Sequence, residues 1–185
     1  MDLDFRMHAE RTPNPQSIKW VLSKEIVPAG TTASFQTAVG SDVSPLAARL
    51  FALDGIESVF LASHFATVGK REELAWTDLA QGVVDAIKAH VACAEPALGP
   101  AFAPESTASA GGIEERIKAI LENDIRPAVA MDGGDVVFAG YHDGVVEVAL
   151  QGSCAGCPSS TATLRFGIEA RLREEIPEVT RVVQI

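Results

Sequence analysis

The chain has 185 residues, 47% of them hydrophobic, with 15 basic against 25 acidic side chains and a net charge of −10. A chain of that length and make-up buries a core, and without clustered Lys and Arg it lacks the electrostatics of a nucleic-acid binder. Apolar runs such as "GVVDAIKAHVACAEP" are broken by charges well short of the ~20 residues a bilayer span requires, so no membrane association is expected.

"MDLDFRMHAE" has no basic n-region, apolar h-region or Arg/Ser-rich transit pattern. Three cysteines, an odd number without a secretory signal, argue for thiols used chemically in a reducing compartment. The expected location is cytoplasmic. From there "FRMHAERTPNPQSIKWVLSKEIV" reads as strand, loop, strand, with Pro13 and Pro15 holding Thr12 and Asn14 extended or in a turn. "TPNP" is first of all a rigid loop, with partner contact as its functional alternative. "TTASFQTAV" predicts a third strand. "SPLAARLFAL" predicts a short helix, capped by Ser44, opened by Pro45 and carrying Leu46, Leu50 and Leu53 at helical spacing. "IESVFLAS" and "FATVGK" predict strands. "TDLAQGVVDAIKAHVAC" predicts a helix with Leu79, Val83, Ile87 and Val91 along its buried face. Cys93, at the end of that helix, reads as a small buried hydrophobe.

The stretch "AEPALGPAFAPESTASAGG" between Cys93 and Ile113 is rich in Pro, Ala, Gly and Ser and reads as a linker. It divides the chain into a domain over residues 1–94, a linker over 95–111 and a second domain over 112–185. The fold class is α/β (α+β), two small domains on a flexible connection.

In the second domain "IEERIKAILENDI" predicts a helix with Ile113, Ile117, Ile120, Leu121 and Ile125 on one face, broken or restarted by Pro127. "DGGD", residues 132–135, reads as a turn into a strand rather than a set of acidic ligands. "DVVFAGYHDGVVEVALQ" predicts a hairpin around Asp143-Gly144, with His142 beside the turn and facing solvent. The stretch "QGSCAGCPSS" follows directly. After it "SSTATLRFGIEARLREEI" repeats apolar residues at Leu164, Ile168, Leu172 and Ile176, while Arg165, Arg171 and Arg173 read as a solvated face. "EVTRVVQI" predicts a last strand, so the order is α-β-β-α-β.

Strand, CxxC, helix sets Cys154 and Cys157 near a helix N-terminus, which favours thiolates. Gly152, Ser153, Ala155 and Gly156 leave little side-chain bulk around them, so neither thiol is expected to serve the core. An iron–sulfur cluster or a tetrahedral zinc site wants four ligands, and one CxxC supplies two. The other candidates in the chain are His142, Cys93, His8, His64 and His90, none of them in a second motif with ligand spacing. Two chains meeting CxxC to CxxC would complete the set about a twofold axis. A reversible dithiol remains open as an alternative, although a thioredoxin-like domain sets its motif after an early βαβ strand rather than after a hairpin. Two inert cysteines remain open as well.

The stretch from "MDGGDVVFAGYHDG" through "GSCAGCPSSTATLRFGIEARL" to "PEV" resembles the C-terminal domain of NifU-like (Nfu-type) iron–sulfur proteins, and "RTPNPQSIKW" with "ATVGKREELAWTDL" resembles their N-terminal domain. The resemblance covers nearly the whole chain outside the linker. It implies a non-enzymatic scaffold and carrier that accepts a cluster from an upstream donor and passes it to apo-proteins. It further implies a cluster, [4Fe–4S] with [2Fe–2S] as the variant, held by Cys154 and Cys157 and shared across a homodimer. No catalytic residue is implied, and no ligand from the first domain. A thiol–disulfide oxidoreductase and a zinc-bridged structural dimer are the alternatives. The glycines and small residues around the thiols suit an anionic cluster better than a structural zinc.

Overall fold

The computed structural model describes residues 5–103, 112–155 and 158–185, the last stretch with side chains from 162 onward. The fold is α+β, in two compact units, Met1–Pro104 and Glu105–Ile185.

The first unit is a five-stranded antiparallel sheet in the order β1-β2-β5-β4-β3. Its strands are β1 (Met7–Arg11), β2 (Ser17–Leu22), β3 (Ala33–Phe35), β4 (Ile56–Ala62) and β5 (Phe65–Lys70), and its helices are α1 (Pro45–Phe51) and α2 (Trp76–Cys93). Trp20 and Leu22 from β2, Val59 and Leu61 from β4, and Leu46 and Leu50 from α1 share one core with Val83 and Ile87. Ser44 caps α1 as its sequence predicts, its Oγ accepting from the Ala47 N–H at 3.1 Å. The same hydroxyl donates to the Ala97 carbonyl at 2.6 Å.

That second bond corrects the linker. Residues 95–103 are not a free tether: Ala97 is buried, Leu98 and Phe102 pack against the first core, and Phe102 meets Phe35 edge to face at 6.3 Å. The amides of Gly99 and Ala101 donate to the carbonyls of Val43 and Asp42. A Cβ at Gly99 would lie 2.1 Å from the Asp42 oxygen, so only glycine lets these backbones approach. Residues 104–111 of the expected linker lie outside the described residues.

The buried face of α2 runs through Val83, Ile87 and His90 rather than ending on Val91. At 3.6 residues per turn, seven residues return a helix to within about 20° of its starting direction and eight overshoot by about 80°. His90 is 2% exposed and its Nδ1 meets no partner among the described residues. Burial lowers the imidazole below its ordinary value, the Arg49 cation lowers it further, and Glu95 opposes them. A base depressed in the folded state takes its proton first in the unfolded one, so the stability it allows is present above pH 6.5 and lost as the pH falls below that value. The melting temperature of the first unit is expected to drop from pH 8 to pH 5, and His90→Leu is expected to flatten that slope. Cys93 corrects a second expectation. It sits about 120° around the helix from Ile87, and it is exposed, with Arg49 Nη2 3.9 Å from its sulfur.

The second unit is a three-stranded sheet ordered β6-β7-β8, from β6 (Gly134–His142), β7 (Val145–Gly152) and β8 (Arg181–Gln184). β6 and β7 form the expected hairpin. Asp143 and Gly144, at φ 50° and 82°, make the two-residue left-handed turn that suits the strand twist. β8 then returns parallel to β7 through α5 (Pro158–Glu175). The leading helix α3 (Ile113–Ile120) runs through a π-turn at Leu121–Ile125 into α4 (Arg126–Met131). Pro127 has no N–H to donate, and the wider turn just before it carries the chain past the missing bond. Ile117, Leu121, Val129, Ile168, Leu172 and Ile176 close over Val136, Val146, Val148 and Val182. Of the arginines expected on a solvated face, Arg171 pairs with Asp124, Glu174 and Glu175, and Arg173 with Glu169.

Candidate functional site

Three pieces of chain converge at one end of the β6–β7 hairpin. β7 delivers Ser153, Cys154 and Ala155; α4 ends in the Asp132-Gly133 turn; and β6 starts at Gly134, opposite Gly152. Gly133 and Gly152 hold φ 77° and 65°, backbone that glycine adopts freely. The Ser153 hydroxyl donates to the Asp132 carbonyl and its amide to the Gly133 carbonyl, so the loop is pinned to the α4–β6 turn.

Cys154 lies on this bed. It is 5% exposed and packs with the second core, contrary to the expectation that neither thiol serves the core. The room it occupies comes from Gly134: a Cβ there would stand 2.6 Å from the Cys154 sulfur and 2.8 Å from the Gln151 carbonyl oxygen. "DGGD" is therefore the expected turn and also the floor under the thiol. Cys157 lies outside the described residues. α5 begins at the next residue, Pro158.

Behind the bed is an ion pair that the sequence reading missed. Asp135, 4% exposed, takes Arg126 through two bonds, Nε to Oδ1 at 2.7 Å and Nη2 to Oδ2 at 2.8 Å, and also accepts from the Val136 amide. These bonds raise the guanidinium's pKa, the Asp135 hydrogen bonds contributing most. The strand's alternation hid it, because Asp135 falls on the face opposite Val136 and Phe138 and yet is buried; the one signal was an acidic residue opening an otherwise apolar run.

Within the second unit the remaining candidate, His142, is not brought to this bed. His142 ends β6 at the turn, eight residues from Gly134 and so roughly 25 Å along the strand. In the first unit His90 is buried, His8 pairs with Glu10, and His64 Nδ1 meets the Ser63 hydroxyl. Among the described residues no three His, Cys, Asp or Glu side chains form a metal-holding group, and no helix is long and apolar enough to cross a membrane.

Comparison with known proteins matches both units. Residues 7–94 match the model described as "Scaffold protein Nfu/NifU N terminal", and residues 117–183 the model of the NifU-like domain. Two relatives named "NFU1 iron-sulfur cluster scaffold homolog, mitochondrial", from Drosophila persimilis and Drosophila willistoni, are 37% and 38% identical over 97% of this chain. The chain spans 64% and 63% of their lengths. The solution structure of a NifU-like protein from Saccharomyces cerevisiae aligns over 54% of this chain and 91% of its own, at 19% identity and a TM-score of 0.46. With both domain models matched in order along its length, the chain belongs to the Nfu-type NifU-like family.

Proposed function

We propose that this chain is an iron–sulfur cluster scaffold and carrier that takes a cluster on Cys154 and Cys157 and hands it to apo-proteins. The observation that carries the reading is the bed under Cys154, a thiol fixed over a glycine floor at the end of a strand with the second thiol three residues on. The relatives' names support the cargo. One CxxC gives half of a four-thiolate set, so the reading has two chains sharing one cluster as a homodimer, [4Fe–4S] in preference to [2Fe–2S].

The cluster is cargo. Thiolates of a client that reach a cluster held by only two ligands per chain can replace them one at a time, each bond to the scaffold lost as one to the client forms. The reading involves no catalytic residue and no turnover. An upstream donor and client proteins are the partners. A reducing compartment is required for the thiols; the cytoplasm is the reading from sequence, and the relatives are named mitochondrial.

Cys154→Ala and Cys157→Ala are each expected to abolish the visible absorbance and bound iron after anaerobic reconstitution with iron and sulfide. Because Cys154 is in the core, its variant also loses some stability, whereas iron retained in either folded variant overturns the ligand assignment. A colourless wild-type protein with stoichiometric zinc would favour the structural dimer instead. Disulfide-reductase activity in the metal-free protein would favour the oxidoreductase.

A further inference from the structure

The first unit holds a buried cation that the cluster reading leaves unused. Lys70, the last residue of β5, is 6% exposed. Its ammonium donates to Gln16 Oε1 at 2.6 Å and to the Arg71 carbonyl at 3.2 Å, both neutral acceptors. Among the described residues it has no carboxylate within ion-pair distance, although its neighbours do: Lys19 has Glu10, and Arg71 has Asp54 and Glu73. An ammonium carries three N–H donors, and a buried charge without a counter-charge costs stability that an apolar side chain would not. In a chain with 25 acidic residues, a carboxylate would have been the ordinary companion.

The surroundings are preorganised. Lys70 also joins its backbone to the 12–16 loop, its amide donating to the Gln16 carbonyl at 2.9 Å. That loop is knitted by the Thr12 hydroxyl to the Asn14 carbonyl at 2.8 Å and by the Gln16 amide to Asn14 Oδ1 at 2.9 Å. The Trp76 indole N–H, at the start of α2, donates to the Pro15 carbonyl at 3.4 Å. Pro13 and Pro15 are exposed, which gives the loop a stiff apolar rim. Arg11 is exposed at the same end of the sheet, where β1 ends beside the start of β2.

We infer that Lys70 and the 12–16 loop form a docking point for an acidic side chain of a partner protein. The carboxylate takes the third N–H of Lys70 and supplies the missing counter-charge, and the partner's neighbouring residues lie on Pro13 and Pro15. One donor anchors a free small acid poorly, so the affinity requires the peptide chain. A rigid loop with no ordering to undergo keeps the cost of binding low.

The test uses the metal-free full-length chain, labelled with 15N, so its outcome is independent of any cluster. An end-blocked hexaglutamate peptide is titrated at constant ionic strength set with chloride, and sodium acetate is titrated separately. The peptide is expected to give saturable shifts of the Trp76 indole N–H and of the amides of Gln16 and Lys70, which acetate does not reproduce and which Lys70→Met loses. Absence of saturable peptide shifts in the wild-type chain overturns the inference, as does their persistence in Lys70→Met. Equal saturation by acetate overturns the peptide as occupant. If Lys70→Met fails to fold, the wild-type titrations with peptide and acetate still decide.

Discussion

Asp135→Ala is expected to destabilise the second unit by about 3 kcal/mol, near the low end for breaking a buried ion pair. The figure is at the low end because the Asp135 side chain is 5% exposed while Arg126 is 22% exposed and keeps Glu122 as a second partner. What is lost is the paired charge and the acceptor for the Val136 amide. The measurement is the urea midpoint of the second unit, and a loss below about 1 kcal/mol, the size typical of an exposed pair, would contradict the account. Replacing both partners, Arg126→Met with Asp135→Leu, is expected to recover most of the loss, because the uncompensated charge goes with its partner.

Gly134→Ala carries the second large effect, and it acts on the site itself. The added methyl would stand 2.6 Å from the Cys154 sulfur and 2.8 Å from a backbone oxygen, so either the thiol leaves its bed or β6 separates from β7. Overpacking of this kind costs about 1–3 kcal/mol, and cluster uptake is expected to fall with it. The clash also predicts non-additivity: Gly134→Ala is expected to cost less stability in a Cys154→Ala background, where the sulfur is gone. Equal costs in the two backgrounds would mean that Gly134 does not make the room for Cys154.

Much of this architecture could be read from residues whose local and tertiary preferences agree. Asp143-Gly144 fixed the hairpin because few residues other than Asp, Asn or Gly accept two successive left-handed conformations. Ser44-Pro45 fixed the start of α1, where cap and first-turn proline act within four residues. The misreadings arise where the deciding contact is distant in sequence. Ala97 and Phe102 sit in a stretch whose composition is that of a linker, and contacts more than 50 residues away, among them the Ser44 hydroxyl and the Phe35 ring, make it part of a core. Cys93 looked apolar among Val91 and Ala92, yet the helical phase set by Ile87 and His90 turns it outward. At the site, the spacing of the CxxC was legible and its floor was not. That Gly134 lies under Cys154 follows from the register pairing Gly134 with Gly152, which the hairpin turn sets only together with the one-residue shift between Phe138 and Gly140.

The central claim is that Cys154 and Cys157 form half of a site completed by a second copy of the chain. Native mass spectrometry of the anaerobically reconstituted protein tests it most directly, since intact mass reports chain number and cluster content together. The account predicts two chains with one cluster, and dissociation to metal-free monomers when the cluster is removed. A cluster carried by single chains would contradict it.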